Sequence, residues 1–313
     1  MAELAVAAEL RGSSAMVGWT AAIASACAFA TSGAFAKPLL AAGWSAGAVV
    51  AVRLGLAALV LLGPGLVALQ GRWGLLAAHW RPLLGYGIFG GALAQVGFFN
   101  AVQYVPVALG LLLEYLGIVL VVLWVALRNR RLPGRLTLAG VVIAIAGLVI
   151  VLDPGGMAGL DWRGVGWGLL AAFGLASYFV ISAQPTRLPP LTFVSVGLGI
   201  GTAAIVVAGL VGLMPLHATA ADVTFVGLTL PWWVPLVELA LVAAALAYAL
   251  GFIGVQYLGS TVASFVGLTE VLFAVGWAWL LLAELPGPLQ LVGGVVLLAG
   301  VAAVQRGQAA DAT

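Results

Sequence analysis

The sequence predicts an all-α integral membrane protein with ten transmembrane helices, arranged as two five-helix repeats of inverted topology. Three observations predict this: composition, apolar runs of suitable length, and an internal duplication. Of 313 residues, 64% are hydrophobic and 7% are charged, whereas a soluble domain carries about 25% charged residues. An apolar run of about 20 residues can span the bilayer, and it does so as a helix because its backbone groups must be satisfied within the segment.

The stretch 103–147 recurs at 256–300 without a gap. Fourteen of 45 positions are identical between the two copies, whereas composition alone would match roughly a tenth of them. The identities include Gln103/Gln256, Tyr104/Tyr257, Trp124/Trp277, Leu132-Pro133-Gly134/Leu285-Pro286-Gly287, Gly140/Gly293 and Gly147/Gly300. Each copy has an apolar run, a Leu-Pro-Gly break and a second apolar run, which indicates a duplicated unit.

Pro, Gly and charged residues divide the chain into ten apolar runs. The predicted spans are approximately 16–36, 46–69, 83–102, 106–127, 136–152, 163–183, 191–213, 233–255, 259–282 and 288–304. Breaks between them are predicted at, among other places, Lys37-Pro38, 215–231 and Gly259. The first repeat is therefore 16–152 and the second 163–304, with tails at 1–15 and 305–313. Because five spans is an odd number, the second repeat enters the membrane from the opposite side. Inverted repeats of this kind are typical of alternating-access transporters.

The cations orient the chain, because cytoplasmic loops carry an excess of Lys and Arg. With the N-terminus in the cytoplasm, nine cations fall inside, two fall outside and Arg53 lies within a span. The nine are Arg11, Arg72, Arg81, Arg128, Arg130, Arg131, Arg135, Arg187 and Arg306, and the two are Lys37 and Arg163. Both termini are therefore predicted to be cytoplasmic.

An ordered set of residues over 16–305 resembles the EamA family of the drug/metabolite transporter superfamily. The set consists of Ser32-Gly33 through Lys37, Gly43-Trp44-Ser45, Arg53, Tyr104, Glu114-Tyr115-Leu116-Gly117, Gly140, Gly147, Tyr257, Glu270, Ala283-Glu284-Leu285, Gly293 and Gly300. The string at 114–117 is similar to the subgroup that contains threonine/homoserine exporters. The resemblance implies a multi-pass protein of the bacterial cytoplasmic (inner) membrane that exports a small metabolite, such as an amino acid or a related compound.

The chain departs from the family at two central positions, where proline is usual. Ile118 and Val271 stand there instead. Because proline removes a helical hydrogen bond, its absence is expected to straighten these two helices.

Ionisable residues within spans are functional candidates, because a charge is expensive to bury in lipid. Glu114 and Glu270 could bind a substrate amine or exchange a proton for substrate, or could instead be structural carboxyls. Arg53 could meet a substrate carboxylate, form a structural or gating ion pair with a glutamate, or extend to the headgroups. Glu238 lies near the outer end of its span and is expected to be interfacial.

Polar uncharged residues cluster in several spans. Asn100, Gln103 and Tyr104 follow an i, i+3, i+4 spacing that places them on one helix face. This face could line a cavity and hydrogen-bond a zwitterion, or could meet headgroups at a helix end. Further candidates for contact with substrate are Gln95, Tyr178 and Tyr248.

The sequence lacks the residues of an enzyme or a cofactor site. His79 and His217 lie in loops, Cys27 is the only cysteine, and there is no phosphate-binding loop or catalytic triad. We expect no enzyme activity, metal, cofactor or nucleic-acid partner, but a small-molecule substrate and the lipid bilayer.

Proton-coupled export by alternating access fits best. An uncoupled facilitator and a broad-specificity exporter of hydrophobic drugs are alternatives, a membrane enzyme fits worse, and the oligomeric state is not predicted.

Overall fold

A computed structural model describes residues 2–101, 103–105, 107–130, 132–152, 161–225, 227–282 and 287–311. Within these residues the chain is almost entirely helical, with one short β-hairpin. Two helices contain π-helical segments, Tyr86–Leu93 before α6 and Leu241–Leu246 before α12. The elements in order are α1 (Ala2–Phe29), α2 (Ser32–Ala41), α3 (Ala46–Leu69), α4 (Gly74–Ala78), α5 (Trp80–Gly85), α6 (Ala94–Ala101), α7 (Val107–Asn129), α8 (Arg135–Leu152), α9 (Trp162–Ser182), α10 (Pro190–Leu210), β1 (Val223–Phe225), β2 (Leu228–Leu230), α11 (Trp233–Ala240), α12 (Ala247–Gly267), α13 (Thr269–Leu282) and α14 (Pro288–Asp311).

Seven helices among the described residues are long and apolar enough to cross a membrane. They are Ala15–Ala41, Ala46–Leu69, Trp80–Ala101, Gly110–Asn129, Trp162–Ser182, Pro190–Leu210 and Trp233–Gly267. Two shorter apolar helices, Arg135–Ile150 and Leu291–Gly307, accompany them. Large apolar side chains such as Leu127 are exposed on the outside, while the charged side chain of Arg53 is fully buried. This distribution suits a lipid solvent and confirms an all-α membrane protein, while the count of ten spans stays a prediction.

The two repeats change their helical register at the same place. In the first repeat the π-helical segment ends at Leu93, and α6 begins at Ala94. In the second it ends at Leu246, and α12 begins at Ala247. The shift between these positions is the same 153 residues that aligns the sequences, so the duplication extends to a local distortion of the backbone.

Helix packing follows the same duplication. Helices α8 and α14 pack together, as do α3 and α10, and each of these pairs joins equivalent helices of the two repeats. Gly147 lies against the backbone of Leu297, and Gly300 lies against the backbone of Ala144. Exchanging the repeats converts the first contact into the second. The α8–α14 contact is therefore two-fold related, with a glycine from each side permitting close approach of the backbones.

The first helices depart from the predicted boundaries. The break expected at Lys37-Pro38 lies earlier, at Ala30-Thr31, and α2 continues through Pro38. Helix α1 also begins at Ala2, well before the predicted start of the span at residue 16. Pro38 is the seventh residue of this ten-residue helix, so it removes one helical hydrogen bond, and its side chain is buried.

The positions that usually carry proline behave differently in the two repeats. Helix α7 runs through Ile118 without a break, as expected. In the second repeat a tight turn at Leu268 separates α12 from α13, and the Val271 amide donates to the Leu268 carbonyl at 3.2 Å. The expected straightening is therefore wrong for this helix. The predicted break at Gly259 is present, where φ is 76° and glycine is favoured.

A β-hairpin that was not predicted lies within the predicted break at 215–231. Strands β1 and β2 pair antiparallel, with Val223 opposite Leu230. The loop before the hairpin covers the junction of α2 and α3, where the Trp44 indole donates to the Thr219 carbonyl at 2.9 Å. The side chain of Ser45 caps α3 and also hydrogen-bonds the backbone of His217. This loop holds one end of the bundle together.

Candidate functional site

A cavity of about 100 Å³ lies between the repeats. By the space that one water molecule occupies, it holds roughly seven to ten waters, or a solute with a similar number of heavy atoms. Helices α1, α2, α6, α7, α9, α12 and α13 contribute its walls, together with the π-helical segment before α6. The site thus lies where the repeats meet, the usual place for substrate in transporters of this architecture.

The residues around the cavity fall largely into pairs that the 153-residue shift relates. These pairs are Ala22/Leu175, Ser25/Tyr178, Ala26/Phe179, Gln95/Tyr248, Phe98/Gly251, Leu111/Ser264 and Glu114/Gly267. A cavity lined by both members of so many pairs lies on the pseudo-two-fold axis. The members differ in chemistry, so a symmetric scaffold presents an asymmetric set of side chains.

Two carboxyl groups line the cavity. Glu114 lies eight residues into α7 and is buried, and Glu270 lies in the first turn of α13. The Tyr115 hydroxyl hydrogen-bonds the Glu270 carboxylate. No hydrogen bond to Glu114 is found from the described residues, although Glu270 and Arg53 act on it electrostatically. Glu114 is therefore the carboxyl that is more available to a substrate or a proton.

Arg53 is fully buried behind the cavity wall. Its guanidinium donates to Gln95 Oε1 at 2.9 Å, to Ser32 Oγ at 3.0 Å and to the Ala243 carbonyl. All three acceptors are neutral, so the ion pair expected from the sequence is not formed with the described carboxylates. Gln95 and Ser32 line the cavity, whereas Arg53 supports them from behind.

Tyrosine rings form the wall next to Arg53. Tyr178 and Tyr248 line the cavity with ring centroids 5.8 Å apart, and Tyr86 packs behind both. Tyr248 hydrogen-bonds Gln95. Among the described residues the buried hydroxyl of Tyr178 has no hydrogen-bond partner. An unpaired buried hydroxyl is costly, so this group would gain from a ligand that accepts its hydrogen bond.

Three residues predicted to face substrate lie elsewhere. Asn100 Nδ2 donates to the Val96 carbonyl at 2.8 Å, and Gln103 Nε2 donates to the Phe99 carbonyl at 3.3 Å. Tyr104 is 40% exposed. The three residues share a face, as the spacing predicted, but none lines the cavity. Glu238 also lies outside it and accepts a 2.6 Å hydrogen bond from Thr31 Oγ1, with its other oxygen buried.

Several cavity residues were not among the predicted ones. Ser25 and the four phenylalanines Phe29, Phe98, Phe99 and Phe179 give no sign in an apolar sequence. Ser25 could have been found, because the 153-residue shift maps it onto Tyr178. Among the described residues, no three His, Cys, Asp or Glu side chains come together as potential metal ligands.

A substitution at Gly251 tests the cavity geometry. A Cβ at this position would overlap the Tyr178 hydroxyl and lie 2.8 Å from Ser25 Oγ. Gly251→Ala should displace Tyr178 and weaken transport by about tenfold, the usual order for overpacking a filled site. Gly63→Ala in α3, where nothing lies within 4 Å, is the control. Equal initial rates of transport for both variants would contradict the geometry.

The duplicated fold matches a known family in both halves. Residues 16–153 and 162–305 each match the EamA-like transporter family. The chain belongs to this family. It is therefore a multi-pass membrane transporter, as the resemblance in the sequence implied, while the likeness to the threonine/homoserine exporter subgroup stays a prediction.

Individual relatives agree with the family. This EamA-like transporter is 28% identical over 222 residues to an uncharacterized transporter of Archaeoglobus fulgidus, a match covering 71% of this chain and 75% of that one. It is 27% identical over 108 residues to the uncharacterized inner membrane transporter YicL of Salmonella typhimurium, covering 34% and 35% of the two chains. A crystal structure superposes with a TM-score of 0.69 at 18% identity over 94% of this chain and 97% of that one, which shows a shared fold.

Proposed function

We propose that this transporter exports a small amine-bearing metabolite, such as an amino acid or a related compound, across the bacterial cytoplasmic membrane. It works by alternating access, with both termini in the cytoplasm. The two five-helix repeats rock about the cavity between them. The transport cycle requires only protons and substrate, without a metal or an organic cofactor.

The pair of carboxyl groups in a mainly apolar cavity carries this proposal. Glu114 and Glu270 are the side chains with carboxyl groups that line the cavity among the described residues. A cationic amine is the natural partner of such carboxylates, because it offsets the cost of removing their charge from water. The remaining wall is mainly aliphatic and aromatic, which suits the body of a small organic molecule.

Glu114 also provides a simple coupling step. Ionised, it binds the substrate amine from the cytoplasmic side. When the cavity opens outward, a proton from the more acidic exterior neutralises the carboxylate and releases the amine. The neutral carboxyl then returns inward and gives up its proton, so one proton enters for each substrate that leaves.

Export of hydrophobic amines with broad specificity is the second candidate. Four phenylalanine and three tyrosine rings line the cavity, and aromatic faces attract organic cations. A broad set of exported amines without a common polar group would favour this candidate. An uncoupled facilitator would instead give flux that does not depend on the pH gradient.

Reconstituted vesicles test the proposed function. They are loaded with a mixed pool of amino acids and related metabolites, an acidic exterior is imposed, and efflux is followed by mass spectrometry. We expect one chemical class to leave, faster with the gradient than without it. Release equal to that from protein-free vesicles for every compound would refute the proposal.

A further inference from the structure

We propose that the substrate is a small zwitterion whose carboxylate is received by Tyr178 and Tyr248, with Gln95 and Arg53 behind them, while its amine meets Glu114. This inference rests on the proposed function and adds the class of substrate and the group that receives each end. The observations concern the wall formed by α6, α9 and α12, opposite in chemistry to the carboxyls of α7 and α13.

The orientation of Gln95 is fixed by Arg53. A guanidinium has only donors, so the atom of Gln95 that faces it must be the acceptor Oε1. The amide nitrogen of Gln95 is then directed elsewhere, and Tyr248 is its hydrogen-bond partner. Arg53 thereby acts as a positioning residue, since it contacts Gln95 rather than the cavity.

This arrangement also determines the hydrogen-bonding role of the Tyr248 hydroxyl. Because it accepts from the Gln95 amide, its own proton remains available for donation. Tyr178 adds a second donor, since its hydroxyl has no partner among the described residues. The centroids of the two rings are 5.8 Å apart, and both residues line the cavity. O–H donors on two adjacent rings, with a buried cation behind the wall that they form, suit the two oxygens of a carboxylate.

The chemical differences between equivalent residues of the two repeats support the same orientation of the zwitterion. Glu114 is matched by Gly267 and Glu270 by Gly117, so each repeat carries one carboxyl and one glycine at these equivalent positions. In the first repeat both lie in α7, and in the second they lie on either side of the turn between α12 and α13. The donor wall likewise pairs Gln95 with Tyr248 and Ser25 with Tyr178. Acceptors on one set of helices and donors on the other give the site two chemically different sides, as a molecule with an amine and a carboxylate requires.

Paired substrate pools test this inference. Vesicles are loaded with the twenty proteinogenic amino acids, with their α-carboxamides, or with the amines that remain after decarboxylation. We expect wild-type protein to release members of the acid pool and to discriminate against the other two pools. Tyr248→Phe and Tyr178→Phe should each reduce the acid-to-carboxamide ratio of initial rates by roughly tenfold, the usual effect of losing one hydrogen bond to a charged group.

Two controls separate specificity from structural damage. Tyr104→Phe removes the same oxygen from a half-exposed tyrosine outside the cavity and should leave the ratio unchanged. A variant that only misfolds lowers both rates and not their ratio. Gln95→Leu should change the ratio in the same direction, whereas Gln103→Leu, just beyond the end of α6 and outside the cavity, should not.

Each outcome decides a different claim. If wild-type protein exports carboxamides or decarboxylated amines as fast as acids, the carboxylate site is refuted although export of amines stands. An unchanged ratio in Tyr178→Phe, Tyr248→Phe and Gln95→Leu also refutes it. If wild-type protein releases none of the three pools, the proposed function fails and the inference fails with it.

Discussion

Glu114→Gln is expected to abolish proton-driven export while leaving the protein folded. Glutamine has nearly the same shape and keeps hydrogen-bonding capacity, but it neither takes up a proton nor pairs as an anion with an amine. For one-to-one exchange, each unit of pH gradient can sustain about a tenfold substrate gradient. Vesicles with the wild-type protein should reach this tenfold ratio of external to internal substrate for each unit of pH difference. Vesicles with Glu114→Gln should move no substrate against its concentration gradient.

Glu238→Gln is the matched control for this experiment. Glu238 is another partly buried glutamate of the helical bundle, but it lies outside the cavity and is hydrogen-bonded to Thr31. We expect this variant to keep its pH-driven accumulation. Both variants should elute as monodisperse protein with wild-type melting temperatures. Retained pH dependence in a well-folded Glu114→Gln protein would rule out Glu114 as the coupling residue.

Glu270→Gln should have an intermediate effect. Its carboxylate already receives a hydrogen bond from Tyr115, so part of its bonding capacity is used within the protein. Glutamine can accept the same hydrogen bond through its amide oxygen. We therefore expect weaker substrate binding with coupling retained, measured as a higher half-saturating concentration in the same vesicles. Loss of coupling here, with coupling retained in Glu114→Gln, would reverse the two roles.

The duplicated fold could be predicted from the sequence because residues shared by the two copies are recognisable even in a very apolar chain. Shared Pro, Gly and Trp residues gave the 153-residue shift, and the same shift relates the π-to-α transitions at Leu93 and Leu246. Breaks were predicted less well, since a helix boundary depends on tertiary contacts as well as on local residues. Lys37-Pro38 looked like a break, but Pro38 is buried within α2.

The candidate site was predicted only in part, for a physical reason. The cost of burying charge singled out Glu114, Glu270 and Arg53, and all three lie at or directly behind the cavity. The spacing of Asn100 and Gln103 showed that they share a face. Spacing does not show which face of a helix meets the cavity when every face is apolar. The phenylalanines of the wall were missed for the same reason.

Gly147→Leu and Gly300→Leu are expected to prevent or severely weaken folding. A side chain at Gly147 would overlap the backbone of Leu297, and one at Gly300 would overlap the backbone of Ala144. Backbone atoms cannot move aside as a flexible side chain can, so α8 and α14 would have to separate. We expect a cost of about 3 kcal/mol, seen as a fall in melting temperature on the order of 10 °C or as loss of monodisperse protein.

The two substitutions should have similar effects, because exchanging the repeats converts one contact into the other. Gly63→Leu, where nothing lies within 4 Å, is the control and should melt close to wild type. Neither Gly147 nor Gly300 lines the cavity, so any folded fraction should transport at the wild-type rate per molecule. This is the reverse of Glu114→Gln, which removes transport and keeps the fold. Tolerance of leucine at one glycine but not at the other would show that the α8–α14 contact is not two-fold symmetric.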